Sequence, residues 1–279
     1  MKLPLPHRRV VVFGVDGVRH DTLEIAATPR IHEIAAAGFL SRFEVGDHAP
    51  TLCGPCWATV ATGVWPDRHA IVGNHFGGHR LAAFPDFLTQ LRRANPAFRT
   101  YAVANWPPLV GAYDGGPLFA GATRLVGVDA YALGYPEADR QVTEDAALTL
   151  GTRDVHAAFV YLGAVDEVGH QKGTGDEYIS AVERADVQIG QIIDAIRGRP
   201  AYRTEEWTFI VVTDHGHRDG GGHGQRSEWE RTAWIAACGP DVPMHAHTSH
   251  VDVHPSVLVA LGVEIDPRLG LAGVPFSEA

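Results

Sequence analysis

The 279-residue chain is poor in cysteine, in basic side chains and in long apolar runs. Its three cysteines are too few for a scaffold held together by disulfides. The 23 lysines and arginines against 33 aspartates and glutamates give a formal net charge of −10, which argues against a nucleic acid polymer or an anionic membrane surface as a partner. No apolar run approaches the roughly 18–20 residues that cross a bilayer.

The amino-terminal stretch from Met1 to Asp16 also lacks the long apolar segment and the small-residue cleavage site of a secretory signal peptide. We therefore expect a cytoplasmic protein. Hydrophobic residues make up 45% of the chain, enough to bury a sizeable core and to exclude a disordered chain. Because no linker or internal repeat interrupts the sequence, we predict a single domain over residues 1–279.

Apolar, β-branched runs alternate with segments of helical periodicity along the chain. This alternation predicts an α/β fold in which a central, mostly parallel sheet is sandwiched between helices. The runs Val10–Val15 and Phe209–Thr213 are apolar throughout, as expected for strands covered on both faces. The predicted strands are Arg9–Val15, Leu40–Val45, Arg99–Ala104, Ala157–Leu162, Trp207–Thr213 and Trp234–Cys238, and the predicted helices are Thr28–Ala37, Pro55–Thr62, Phe84–Ala94, Arg140–Leu150, Asp176–Arg197 and Asp252–Leu261.

Three of the predicted strands are followed by an aspartate, and two of these aspartates have histidine neighbours. In an open parallel sheet the carboxyl ends of the strands form the ligand-binding edge, so we expect these side chains to meet there. Aspartate and neutral imidazole bind Zn²⁺ and similar cations, and Asp166 and His170 are expected to fold back onto one ion across Gly169. The candidate ligands are Asp16, Asp166, His170, Asp214, His215 and His223, the last on a glycine-rich loop.

Six ligands are too many for one tetrahedral site. They suit two divalent ions about 3.5–4 Å apart, the arrangement that clamps the oxygens of a phosphoryl displacement. We expect zinc, with manganese as the alternative, and two such ions would let an acidic protein bind an anionic substrate. His217 also suits a ligand by composition. The other histidines considered are interpreted as surface groups or as groups that support the ligands: His75, His79, His245, His247, His250 and His254.

A nucleophile is predicted in residues 49–63, which pass from a strand end through a turn into a helix. A residue at a helix N-terminus faces free backbone N–H groups and a partial positive charge. This position lowers the pKa of a thiol and stabilises a phosphoryl oxygen. Cys53 is the nucleophile candidate by position and Thr51 is the second candidate. Asn74 is either a neutral donor to a non-bridging oxygen or an ordinary turn residue after Gly73.

The chain carries five motifs in a characteristic order: VDGVRHD at 15–21, TGVWPDRHAIVGN at 62–74, DEVGH at 166–170, VVTDHGH at 211–217 and GGHG at 221–224. In this order they resemble the alkaline phosphatase superfamily, and most closely its nucleotide pyrophosphatase/phosphodiesterase branch. The resemblance extends roughly from Val11 to Pro240. It implies a central, mostly parallel sheet between helices.

The resemblance further implies a hydrolase of small-molecule phosphate esters, with phosphodiester and pyrophosphate bonds favoured over monoesters. It implies in-line attack by the residue that heads the helix, a covalent phospho-enzyme and then hydrolysis, with inversion at each step. Asn74 falls at the position of the phosphate-oxygen donor. One metal ion would be bound by Asp166, His170 and His223, and the other by Asp16, Asp214, His215 and the nucleophile Cys53.

The family's nucleophile is threonine, or serine in relatives, where this chain has Cys53, and three alternatives therefore stay open. Sulfatase and phosphonate monoester hydrolase relatives oxidise a cysteine in a CxPxR context to formylglycine; here CGPCW supplies the cysteine and proline, but Trp57 replaces the arginine. Cys53 and Cys56 could instead act as a thiol–disulfide oxidoreductase pair, or form a disulfide that switches off the nucleophile. A metal-binding pseudoenzyme is the third alternative.

Overall fold

The computed structural model describes residues 7–46 and 48–279, so the first six residues of the amino-terminal stretch lie outside it. The described strands form one sheet in the order β2-β7-β6-β1-β5-β3-β4. Only β7 runs against its neighbours, which confirms the predicted mostly parallel α/β sheet. The strands are β1 (Arg8–Val15), β2 (Phe39–Glu44), β3 (Thr100–Ala104), β4 (Arg124–Gly127), β5 (Ala157–Leu162), β6 (Glu206–Val212) and β7 (Thr232–Cys238).

Helices cover both faces of this sheet. None of those within the described ranges combines the length and the apolar character that a bilayer crossing requires. The helices are α1 (Thr22–Ile25), α2 (Pro29–Ala36), α3 (Cys53–Thr62), α4 (Pro66–His69), α5 (Phe87–Ala94), α6 (Pro107–Val110), α7 (Ala130–Leu133), α8 (Tyr135–Thr152), α9 (Ala164–Lys172), α10 (Asp176–Arg197), α11 (Glu228–Arg231) and α12 (Val253–Ala260).

The alternation of side chains along each strand divides the core into two layers. Val10 and Val12 of β1 pack on the side that holds α3, α5 and α12. Val11 and Phe13 pack on the opposite side, with α2, α8 and α10. Since successive strand residues point to opposite faces, a strand buried on both sides must be apolar at every position. This is why Val10–Val15 of β1 and Phe209–Val212 of β6 read as continuous apolar runs.

Besides the four-residue helices α1, α4, α6, α7 and α11, two elements were not predicted. The short edge strand β4 was not predicted, because its four residues are half-buried or exposed and give no continuous apolar run. Helix α9 was not predicted either, because it buries only Ala164, Val165 and Gly169 and so lacks a clear apolar stripe. The second difference matters for the site, since α9 carries Asp166 and His170.

A buried histidine in α4 makes stability depend on pH. Ile71 N–H donates to Nδ1 of His69 and Nε2 lies 3.2 Å from Oγ1 of Thr59, so the imidazole is neutral. Burial lowers the pKa of His69 to about 4 from an ordinary value of 6.5. The folded state therefore binds fewer protons than the unfolded state between these pH values, and this residue makes stability fall as pH falls.

We expect His69→Gln to remove this dependence. From pH 7 to pH 4 the free energy of unfolding of the wild type should fall by roughly 3 kcal/mol relative to that of the variant. Each unit of pKa shift corresponds to about 1.4 kcal/mol. Urea unfolding across this pH range measures it, with the same substitution at exposed His245 as the control. If the difference in the free energy of unfolding between wild type and His69→Gln did not change with pH, the prediction would be contradicted.

Candidate metal centre and nucleophile

Three neighbouring parallel strands, β6, β1 and β5, bring the candidate ligands to one edge of the sheet. Asp16 directly follows β1, and Asp214 lies just beyond the end of β6. Strand β5 leads through Gly163 into α9, which carries Asp166 and His170. The structure therefore places the three aspartates where the sheet topology requires them to meet.

Asp16 and Asp214 are fully buried, and each has only one satisfied oxygen. Oδ2 of Asp16 accepts hydrogen bonds from Trp57 Nε1 at 2.9 Å and from the Tyr161 hydroxyl at 2.5 Å. Oδ1 of Asp214 accepts from two backbone N–H groups, both at 3.0 Å. Among the described residues, Oδ1 of Asp16 and Oδ2 of Asp214 have no hydrogen-bond partner. Such orphaned buried oxygens are costly unless a ligand satisfies them.

His215 faces these two oxygens. Its Nδ1 donates to the carbonyl of Gly216 at 3.1 Å, so its Nε2 carries the lone pair. Nε2 lies 3.1 Å from Oδ2 of Asp214, 3.8 Å from Oδ1 of Asp16 and 3.6 Å from Sγ of Cys53. Ligand atoms of these four side chains all lie within 4.8 Å of one another. Two carboxylates, an imidazole and a thiol fit a divalent cation such as zinc.

Asp166 and His170, which were predicted to converge on one ion, lie one helical turn apart on α9. The spacing of four residues in a helix puts both side chains on the same face. Nε2 of His170 lies 3.5 Å from Oδ2 of Asp166. His223 belongs to the glycine-rich loop, residues 218–225. Its Nε2 lies 3.4 Å from Oδ1 of Asp166 and 2.9 Å from Nε2 of His170. These three side chains form a second ligand set.

The two sets are contiguous. Ligand atoms of Cys53, Asp166, His215 and His223 also lie within 4.8 Å of one another, so Cys53 and His215 belong to both groups of close ligand atoms. The side of the site formed by Asp16, Asp214 and His215 is buried, whereas the His170 side chain is 44% exposed. The site is therefore open to solvent on the side of His170.

The start of α9 is held by a carboxylate from α8. Asp139 accepts hydrogen bonds from Gly163 N at 2.9 Å and Ala164 N at 3.1 Å, and also from Nδ2 of Asn105. Helix α9 has no side-chain cap of its own, so Asp139 satisfies its first N–H groups from a distance. Sequence reasoning missed this residue because its partners are distant in the chain.

His217 is a further residue whose place the sequence did not predict. It is fully buried, and its Nε2 lies 2.9 Å from Oδ1 of Asp166, which makes it a support for that carboxylate. The imidazole fits because a Cβ on Gly17 or on Gly169 would lie 2.7 Å from its ring. The sequence signal for this contact is the glycine beside a candidate ligand, Gly17 after Asp16 and Gly169 before His170.

Cys53 is the first residue of α3, the position that its predicted role requires. The next residue must be glycine, because a Cβ on Gly54 would lie 2.2 Å from the carbonyl oxygen of Gly73. Gly54 N–H donates to Oδ1 of Asn74 at 2.9 Å, which leaves the Nδ2 group of this exposed side chain to donate to a ligand. Thr51, the second nucleophile candidate, is buried, and its hydroxyl is bonded to the glycine-rich loop.

The electrostatics of the bare site oppose a thiolate. Burial raises the pKa of the Cys53 thiol well above its ordinary value, and Asp16, Asp166 and Asp214 raise it further, so the predicted lowering at the helix N-terminus is outweighed. Burial likewise raises the pKa of Asp16 to about 7. A bound divalent cation would reverse these effects by stabilising the anionic forms.

Asp166 behaves differently. Burial opposes ionisation, but hydrogen bonds from His217 and His223 hold the pKa of this carboxyl well below its ordinary value. In the bare site these shifts favour the anionic form of Asp166 and the protonated forms of Asp16 and Asp214. The thiol–disulfide alternative gains no support, because exchange needs a thiol of low pKa. Cys53 and Cys56 are free thiols, and burial raises the pKa of both.

Comparison with known proteins identifies the family. The family model described as type I phosphodiesterase/nucleotide pyrophosphatase matches residues 10–157 and 140–237. The chain belongs to this family. An alignment of 219 positions, which covers 74% of this chain, is 24% identical to ectonucleotide pyrophosphatase/phosphodiesterase family member 3 of Mus musculus. An alignment of 281 positions, which covers 92% of this chain, is 22% identical to GPI ethanolamine phosphate transferase 2 of Aspergillus fumigatus. These matches span 24% and 35% of the two relatives, so the chain covers only about a quarter to a third of their lengths.

Solved structures show the same fold. A 2-O GAG sulfatase superposes with a TM-score of 0.71 at 13% identity, covering 97% of this chain and 73% of that one. An inactive murine ectonucleotide pyrophosphatase/phosphodiesterase 5 in complex with AMP superposes with a TM-score of 0.53 at 20% identity, covering 75% and 57%. Membership of the family and this shared fold confirm the predicted resemblance to the alkaline phosphatase superfamily.

Proposed function

We propose that this phosphodiesterase-family chain is a metal-dependent hydrolase of phosphodiester or pyrophosphate bonds in small-molecule substrates, with Cys53 as its nucleophile. The observation that carries the proposal is the position of Sγ of Cys53, which lies within 4.8 Å of ligand atoms from both sets. A thiol that is close to both ligand sets would be positioned to attack a phosphoryl group bound at the site.

The residues present fit two divalent ions. Asp166, His170 and His223 would hold one ion, and Asp16, Asp214, His215 and Cys53 would hold the other. We propose zinc, with manganese as the alternative, because the donor set combines carboxylates, imidazoles and a thiol. When bound, the ions would supply positive charge that favours release of the Cys53 thiol proton to solvent and balances the charge that develops on the phosphoryl group.

The side chains of the protein then perform the transfer in two steps. The Cys53 thiolate attacks phosphorus, and the bond between sulfur and phosphorus forms as the bond from phosphorus to the leaving oxygen breaks. Asn74 Nδ2 donates a hydrogen bond to a non-bridging oxygen and keeps the phosphoryl group in line with Sγ. Water then hydrolyses the bond between sulfur and phosphorus and regenerates the thiol.

A preference for diesters is supported by the shortage of basic side chains at the site. The three aspartates of the ligand sets form ion-pair contacts with histidines, and with no lysine or arginine in the described part of the chain. A monoester carries a second negative charge that needs a further cationic group. The arginines near the motifs are engaged elsewhere: Arg19 with Asp21 and Asp219, Arg68 with the Gly270 carbonyl, and Arg231 with Glu44.

The proposal is tested by metal analysis combined with a matched substrate screen. Purified protein is stripped with a chelator, reloaded with Zn²⁺, Mn²⁺ or Ca²⁺, and analysed for bound metal. Each sample is then assayed with bis(p-nitrophenyl) phosphate, p-nitrophenyl phosphate and p-nitrophenyl sulfate, which share one leaving group. We expect two equivalents of zinc or manganese and faster hydrolysis of the diester than of the monoester.

Other outcomes decide against the proposal. One equivalent of calcium with release of sulfate would favour a sulfatase, and the intact mass of the protein would show whether Cys53 is modified. Saturation with metal and no turnover of any ester would favour the metal-binding pseudoenzyme.

A further inference from the structure

Thr51 connects the loop that precedes α3 to the glycine-rich loop of the candidate site. It precedes α3 by two positions and is 2% exposed. Its hydroxyl donates to the carbonyl of Gln225 at 3.1 Å and accepts from Gly224 N–H at 3.0 Å. Its own carbonyl accepts a hydrogen bond from Nδ1 of His223 at 2.7 Å. Three consecutive residues of the glycine-rich loop are thus bonded to Thr51.

These contacts decide which nitrogen of His223 faces the site. A carbonyl oxygen only accepts hydrogen bonds, so Nδ1 donates to Thr51, and Nε2 is the ring nitrogen left beside Asp166 and His170 to bind a cation. A hydrogen bond on the remote ring nitrogen of a ligating histidine fixes its tautomer and its orientation. The carbonyl of Thr51 supplies this bond, and its hydroxyl holds the two residues that follow His223.

The glycine-rich loop needs such an anchor. Gly221, Gly222 and Gly224 have φ values of +88°, +78° and +96°, so the backbone around His223 adopts conformations that other residues rarely take. Such glycines lose much conformational freedom when they are ordered. Within the loop, Arg218 N–H donates to the Gly222 carbonyl and Gly221 N–H to the Arg218 carbonyl. On either side of these residues, the Asp219 carbonyl accepts from Thr174 N–H, and Gln225 N–H donates to Oε1 of Glu230. Thr51 supplies the bonds that cross from His223 and Gly224 to the loop before α3.

We propose that Thr51 is a positioning residue that sets the orientation of His223 for the ion shared with Asp166 and His170. Because Thr51 lies two residues before Cys53, the same backbone segment places the nucleophile and fixes the imidazole. The inference rests on the proposed function only in requiring that the site bind metal ions.

The pair Thr51→Val and Thr51→Ser tests the role of the hydroxyl. Valine has the same shape but loses both hydroxyl bonds, whereas serine keeps the hydroxyl and loses one methyl group. Chelator-treated proteins are titrated with Co²⁺ and followed by visible absorption, with a chromophoric chelator as competitor. We expect Thr51→Val to lower the affinity for one metal ion by about 10–100-fold and to leave the affinity for the other unchanged. Thr51→Ser should keep affinities close to those of the wild type.

Two further variants separate positioning from folding. Thr62→Val removes another buried hydroxyl, one bonded to the Ala58 carbonyl at the far end of α3, and should leave both metal affinities unchanged. In a His223→Ala background Thr51→Val should have no additional effect on metal affinity, because the side chain it positions is missing.

The outcomes that overturn the inference are distinct from those that overturn the function. If Thr51→Val bound both metal ions with wild-type affinity, or if both affinities fell equally, Thr51 would not act through His223. An additive effect in the His223→Ala background would show the same. Wild-type protein that binds no ion at all would refute the proposed function together with this inference.

Discussion

Replacing Asp214 with asparagine is expected to remove one of the two metal equivalents and to slow diester hydrolysis by about 1000-fold or more. The amide oxygen can still accept the two backbone hydrogen bonds that now end on Oδ1 of Asp214. The orphaned Oδ2, which faces Nε2 of His215 at 3.1 Å, is replaced by an amide nitrogen that cannot bind a cation. A bound cation contributes several kcal/mol to transition-state stabilisation, and about 4 kcal/mol corresponds to roughly 1000-fold in rate.

Elemental analysis of the purified variant and the rate with bis(p-nitrophenyl) phosphate measure both effects. The matched control is Asp67→Asn, because Asp67 is an exposed aspartate outside both ligand groups. The control should bind metal and turn over substrate as wild type does. A fully metallated, fully active Asp214→Asn protein would show that this carboxylate is not a ligand.

Cys53→Ala and Cys53→Ser are expected to have opposite consequences. The alanine variant loses the attacking atom and should fall by about 1000-fold or more in diesterase rate, because no covalent intermediate forms. The serine variant supplies a hydroxyl, the nucleophile type that the family normally uses, and should match or exceed the wild-type rate. Mass spectrometry of acid-quenched reactions should find a phosphorylated Cys53 peptide in wild type and none in Cys53→Ala.

Cys238→Ala provides the control, since Cys238 lies on β7 outside both ligand groups. If Cys53→Ala hydrolysed the diester at the wild-type rate, another group would be the nucleophile. If Cys53→Ser and wild type were indistinguishable, and no phosphorylated peptide formed, Cys53 would serve as a ligand and not as the attacking group.

Several conclusions were accessible from local sequence signals. Continuous apolar runs marked β1 and β6 because a strand buried on both faces excludes polar side chains. The aspartates that follow these strands could be assigned to one edge of the sheet because parallel strands share the direction of their carboxyl ends. The single-domain organisation, the metal identity and the cytoplasmic location stay predictions.

Other features could not be read from the sequence because they depend on contacts between distant segments. Helix α9 buries little apolar surface, so its periodicity is weak, and its start is held by Asp139 from α8. Thr51 looked like a possible nucleophile, but its hydroxyl is bonded to the glycine-rich loop. A side chain's neighbours in the chain do not reveal which partner satisfies its polar atoms.

The types of residue at the strand ends and at the start of α3 indicated metal binding and a nucleophile, because carboxylate, imidazole and thiol groups are the side chains that bind zinc. Packing alone decided their geometry: which oxygen of Asp16 and Asp214 lacks a partner, which nitrogen of His223 faces Asp166, and how burial shifts the pKa of Cys53. These properties follow from distances and burial, which only the folded chain determines.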